Sequence, residues 1–153
     1  MNGNIQKRYE MAEGMMGRRE YAAGIECLEQ NMVEESSHAL SMSLLGNILV
    51  RTGQDVGRGI HLCNKAIELD RENSEHYIRL ADIYRLKNRK RMVIKVLKRG
   101  LHAMPGNGLL KKLLKRMGER KKPFISFLNR SNPLNKIAGR MAQGGSNKQS
   151  AHQ

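Results

Sequence analysis

Between Ser74 and Asn107, apolar residues recur at intervals of three and four in two separate blocks. The first block, Tyr77, Ile78, Leu80, Ala81, Ile83 and Tyr84, covers a wide arc of one helix. An arc of that width suits a helix held between neighbours on both sides. Met92, Val93, Val96, Leu97 and Leu101 form a stripe on a second helix,. Asn73 or Ser74 is placed to cap the first helix, with Glu75 at the positive end of its dipole,. Lys87-Asn88-Arg89 marks the turn, Lys98, Arg99 and His102 gather near the second helix's C-terminus, and Pro105-Gly106 stops it,. Compact residues Ala81, Val93 and Gly100 let the two helices approach, while Tyr77, Leu80, Tyr84 and Leu97 fill the space between them.

The same unit recurs twice upstream. Residues 39–73 carry Leu45-Gly46 where the later unit has Leu80-Ala81, then Gly53 at the turn and Lys65 to Asp70 closing the second helix. This unit is one residue longer, 35 against 34, with the extra residue near the turn, and Arg71 stands at a proline position. Gly59 occupies a close-approach position, whereas Gly57 has no evident packing use and predicts a frayed or hinged start,. Residues 5–38 fit through Met11-Ala12, Met15 or Met16, Tyr21, Gly24, Ile25 and Leu28, but Asn31 replaces a small residue. This register resembles the tetratricopeptide repeat (TPR), a 34-residue pair of antiparallel helices,. The resemblance implies an all-α solenoid of three repeats across residues 5–107, divided as 5–38, 39–73 and 74–107.

Residues 108–122 are expected to form a capping helix. Leu109, Leu110, Leu113, Leu114 and Met117 line one face, opposite Lys111, Lys112, Lys115 and Arg116, as the exposed end of a repeat stack requires,. Residues 123–141 read as a basic amphipathic tail. Phe124, Ile125, Phe127 and Leu128 form an apolar cluster, and after Asn132-Pro133 the residues Leu134, Ile137, Ala138 and Met141 share a face,. A tail this apolar is expected to dock, with Phe124, Ile125, Phe127, Leu128, Leu134 and Ile137 as its contacts. Its target is open between the chain's own groove or capping helix, a partner protein, and peripheral contact with an anionic membrane surface. Such tails resemble those of some small bacterial TPR proteins. Residues 142–153 are expected to be disordered,.

Composition narrows the function class. The 153 residues suit one domain, with no secretory leader and no segment long enough to span a bilayer, so a cytoplasmic location is expected,. Cys27 and Cys63 have no metal-binding spacing and read as reduced core thiols,. The five histidines are scattered, and the Gly53, Gly57, Gly59 series lacks the features of a phosphate loop,. Neither an enzyme, a cofactor nor a metal is expected. Residues 1–73 hold 8 Lys/Arg and 11 Asp/Glu, a net of −3, and residues 74–153 hold 20 and 3, a net of +17, giving the chain's +14.

The TPR resemblance further implies an adaptor that binds a peptide or helix of a partner protein in a concave groove lined by first helices. Carried onto this chain, the groove positions are Gln6, Tyr9, Glu13 and Met16, then Leu40, Ser43, Asn47, Val50 and Arg51, then Glu75, Ile78, Asp82, Arg85 and Leu86. That lining mixes apolar and acidic residues with two arginines, which suits a segment with apolar anchors and some positive charge, the basic tail included. The carboxylate clamp that grips chaperone tails is disfavoured. Tyr9, Glu13 and Glu75 stand at clamp positions, and only Asn47 and Arg79 match in part. The alternative partner is nucleic acid, held by the basic C-terminal half, although Tyr77 and Tyr84 sit at packing positions and leave no stacking platform,.

Overall fold

The computed structural model describes residues 3–118, which form seven α-helices and, among these residues, no strand. They are α1 (Gly3–Arg18), α2 (Tyr21–Glu34), α3 (Ala39–Arg51), α4 (Val56–Leu69), α5 (Ser74–Leu86), α6 (Lys90–Ala103) and α7 (Gly108–Arg116). Each odd-numbered helix through α5 packs against its successor as an antiparallel pair, and the pairs stack in chain order. The docking residues expected in the tail, from Phe124 to Ile137, lie outside the described residues, as do residues 119–122 and 142–153.

Local signals set the helix ends. Asn73 caps α5 by accepting the Glu75 amide at 3.1 Å, and Asn107 caps α7 by accepting the Leu110 amide at 2.9 Å,. Asp55 caps α4 by accepting the Arg58 amide at 2.8 Å, which gives that helix a defined start despite Gly57. The three turns inside the pairs share one geometry. Arg19, Gly53 and Asn88 each adopt a left-handed φ, of 65°, 74° and 55°. The following amides, of Glu20, Gln54 and Arg89, reach back to the carbonyls of Met15, Leu49 and Tyr84 at 2.9, 3.0 and 2.8 Å,. The α3–α4 turn spans residues 52–55 and the α5–α6 turn residues 87–89, so the extra residue of the longer unit sits in the turn.

Two apolar clusters form the core. Tyr9, Ala12, Leu28, Met42, Leu45, Ile48 and Ala66 join α1 through α4. Val50, Ile67, Tyr77, Leu80, Ile83, Leu97 and Leu110 continue the core into α7. Asn31 departs from the small-residue rule because it is fully buried and fully used. It donates to the Ile5 carbonyl at 2.9 Å and to Ser41 Oγ at 3.0 Å, and it accepts from Arg8 Nε at 2.7 Å,. Met11, by contrast, turns outward and is 47% exposed.

α7 is narrower in its burial than its sequence suggested. Leu110 and Leu114 are buried and Leu113 and Met117 are half-buried, but Leu109 is 52% exposed. The helix ends at Arg116, and Gly118 adopts a φ of 66° just beyond it. No described helix is long and apolar enough to cross a membrane.

Candidate functional site

Packing of α3 against both α1 and α5 places these three helices side by side as one wall. The outer helices are linked instead through long polar side chains, Arg58 to Glu29 and Arg99 to Asn64. Arg79 sits at the middle of the inner wall with its side chain only 8% exposed. Its Nη2 donates to Tyr9 Oη at 2.7 Å and to Glu13 Oε1 at 3.0 Å, and it meets Glu75 Oε2 at 2.7 Å. Its Nη1 donates to Ser43 Oγ at 3.0 Å and to the Leu40 carbonyl at 3.2 Å. The guanidinium carbon also lies 5.6 Å from the Tyr9 ring centre, within cation–π range,. One side chain thus ties α1, α3 and α5 together. Burial pushes the Tyr9 hydroxyl's pKa up, with the Arg79 charge opposing,.

Asp82 organises the next turn of the wall. Arg85 donates to its Oδ1 through Nε at 2.9 Å and Nη2 at 2.6 Å, and Asn47 and Arg51 both donate to its Oδ2. Asn47 also donates to the Arg79 carbonyl at 3.1 Å and accepts from Arg51 Nε at 2.8 Å. Burial alone would raise the Asp82 pKa. Hydrogen bonds from Arg85 and Asn47 and the charges of Arg51 and Arg85 outweigh burial and hold it below the usual carboxylate range,. Beneath the wall, His76 is fully buried, with Nδ1 2.8 Å from Ser43 Oγ and Nε2 3.7 Å from Asp70 Oδ2. Its burial, aided by Arg79 and opposed by Asp70, lowers its pKa.

No family model matches this sequence, and no curated relative does either. Solved structures do match its fold. The second TPR domain of human RPAP3, in complex with an HSP70 peptide, has a TM-score of 0.60 at 16% identity, covering 76% of this chain and 97% of that one. The Sgt2 TPR domain from Aspergillus fumigatus has a TM-score of 0.64 at 15% identity, covering 95% of this chain and 85% of that one. The Yersinia enterocolitica chaperone SycD, in complex with a peptide of the translocator YopD, has a TM-score of 0.62 at 14% identity, covering 76% and 88%. The fold is that of a TPR domain.

Within this TPR fold, the positions carried over by register divide by exposure. Glu13, Arg51, Glu75, Arg85 and Leu86 are exposed, and Gln6, Met16, Leu40, Ile78 and Asp82 are half-buried. Gln6 is turned toward Glu10 of its own helix at 2.8 Å. Four positions are buried. Tyr9, Ser43 and Asn47 are consumed by the polar network described above, and Val50 belongs to the core. Val50 is therefore not a groove residue. Its Cγ2 packs on Gly59 of α4, where even a Cβ would approach it to 2.5 Å.

Arg79 was absent from the register-derived list, since its position faces the neighbouring helix. Glu75 four residues before it was the available signal, an acid–base pair at helical spacing,. Its presence changes the electrostatics. Glu13, Glu75 and Asp82 are matched by Arg51, Arg79 and Arg85, three against three, so the expected acidic wall is neutral. Arg79 and Asn47, the partial clamp matches, are engaged within the chain, and two carboxylates flank Arg79. No group of His, Cys, Asp or Glu that could hold a metal occurs among the described residues.

Proposed function

We propose that this protein is an interaction adaptor that holds a segment of a partner protein along the wall formed by α1, α3 and α5. The observation carrying the reading is that Arg79 and Asp82 brace three helices from below while Glu13, Met16, Arg51, Ile78 and Arg85 keep exposed surface above them. A rigid wall whose polar tips are already held by their neighbours, with apolar tips between them, suits an extended or helical ligand, because little side-chain entropy remains to be lost on binding,. Peptide complexes of similarly folded domains, RPAP3 and SycD, lend the reading support.

A photo-crosslinking residue placed at Met16 or Ile78 tests this. Capture of one contiguous polypeptide segment from these positions, with none from Lys65 on α4, is the expected result. Equal capture from both faces would remove the wall as the binding surface.

A further inference from the structure

An apolar cleft opens at one end of the wall, between α5, α6 and α7. Its floor is Ile78, Ala81, Val93, Leu97, Leu113 and Met117, enclosing about 90 Å³. A second hollow of about 280 Å³ shares Arg85, Val93 and Met117 with the first and adds Lys90 and Arg116 at its mouth. The cleft exists because α7 is only nine residues long and packs on α6, where Leu110 seats over Gly100 and Tyr77. Leu113 and Met117 are left half-buried, facing the open side of α5.

Charge around this cleft is one-sided. From Ile83 to Gly118 the chain carries twelve Lys/Arg and no carboxylate, and all twelve are exposed. Asp82, the one carboxylate among the described residues lining the cleft, is already occupied by Arg51, Arg85 and Asn47. Elsewhere on the wall, Arg85 included, the charges are paired; among the described residues Lys90 and Arg116 meet no carboxylate. We infer that the cleft between α5 and α7 binds an acidic peptide segment, one aliphatic side chain entering the floor and flanking carboxylates meeting Lys90 and Arg116. This inference rests on the adaptor reading and reverses the sign of partner charge that the sequence suggested. An apolar floor gives nothing to a phosphate backbone, and Tyr77 and Tyr84 are buried, so no exposed ring on α5 stacks a base,.

Display selection of random peptides on the full chain tests it. Enriched peptides are expected to pair an aliphatic residue with neighbouring Asp or Glu. Their affinity should fall at least tenfold for Lys90→Glu with Arg116→Glu, and separately for Met117→Gln, with unchanged circular dichroism. The same charge change at Lys95 and Lys112 should cost less than threefold. Enrichment of basic or uncharged peptides, or selected peptides indifferent to the cleft substitutions, would overturn the inference. If those peptides were instead lost on Glu13→Lys or Met16→Ala, the adaptor reading would survive without it. Failure to select any peptide, or preferential binding of a single-stranded oligonucleotide that the cleft substitutions weaken, would overturn both.

Discussion

Gly46 on α3 and Gly59 on α4 meet backbone to backbone: a Cβ on either would lie 2.5 Å from the other's carbonyl oxygen. The contact sets the spacing of the middle helix pair, from which both core clusters extend. Alanine at either position forces the helices apart. The expected loss is about 1–3 kcal/mol from overpacking, only partly offset by the roughly 1 kcal/mol of helix propensity gained. Gly57, two residues from Gly59, behaves oppositely. A Cβ there meets only Asp55 Oδ1 at 3.5 Å, so Gly57→Ala should stabilise by up to about 1 kcal/mol. Urea denaturation of the three single variants checks the pair of signs. A gain in all three would show that α3 and α4 are not in backbone contact.

Arg79 should be the costliest polar residue on the wall. Arg79→Met keeps much of the volume but removes the donors to Tyr9, Ser43, Glu13 and the Leu40 carbonyl. Breaking a fully buried ion pair costs about 3–5 kcal/mol. Glu13 and Glu75 are about half exposed and recover solvation, so a loss of about 2 kcal/mol is expected here,. Amide exchange should accelerate first in α1, which among the described helices packs chiefly on α2 and is tied to α5 through Arg79. Arg85→Met, with its side chain 55% exposed, should change stability by less than about 1 kcal/mol,. Equal effects of the two substitutions would contradict the bracing role.

The two buried histidines make stability depend on pH in a definite direction. His76 and His38 both have pKa values lowered chiefly by burial, opposed by Asp70 and Glu35 respectively. Each is therefore neutral in the folded state over a range where the unfolded chain, with a histidine pKa of about 6.5, takes up a proton. Stability is full above that value and falls as pH drops through and below it. Asp82 adds a later acid loss, since its lowered pKa gives stability that disappears as pH falls below the unfolded carboxylate value of about 3.9,. Denaturant midpoints should decline between pH 7.5 and 5.5, and the decline should flatten in His38→Gln with His76→Gln. A decline of unchanged slope in that double variant would assign it elsewhere.

What was legible in the sequence follows from what periodicity encodes. Spacing by three and four, with Gly46, Ala81 and Gly100 at the close approaches, reports helices and their packing faces. The all-α repeat fold was readable for that reason. Charge balance on the wall was not, because the spacing of Glu75 and Arg79 signals a pair but not its burial, which depends on Glu13 and Tyr9, 66 and 70 residues earlier in the chain. Val50 was misplaced because register gives the angle of a side chain, while α4's glycine gap decides which neighbour it fills. Leu109 differs for a related reason: nine-residue α7 turns Leu110 and Leu114 toward α6, and among the described residues Leu109 lies on the side away from that contact. The cleft itself depends on where α7 leans, which its amphipathic pattern alone does not specify.

Arg19 carries a strain that its two counterparts avoid. Arg19, Gly53 and Asn88 close the three intrapair turns with the same pair of reverse hydrogen bonds and the same left-handed backbone,. Glycine adopts this conformation freely and asparagine tolerates it, but an arginine Cβ crowds the carbonyl oxygen at a cost of about 1–2 kcal/mol. The neighbouring Arg18–Glu20 ion pair does not involve Arg19's side chain. Arg19→Gly should therefore relieve the strain, less the extra entropy glycine gives the unfolded chain, for a net gain of about 0.5–1 kcal/mol. For a domain of this size that gain corresponds to a melting temperature about 3 °C higher. The reverse change at the equivalent position, Gly53→Arg, should lose a comparable amount or more, although nothing lies within 4 Å of its Cβ direction. Thermal unfolding of both variants separates backbone strain from side-chain contact. If Arg19→Gly melted lower than the parent, the turn would owe its stability to the arginine side chain and not to its backbone.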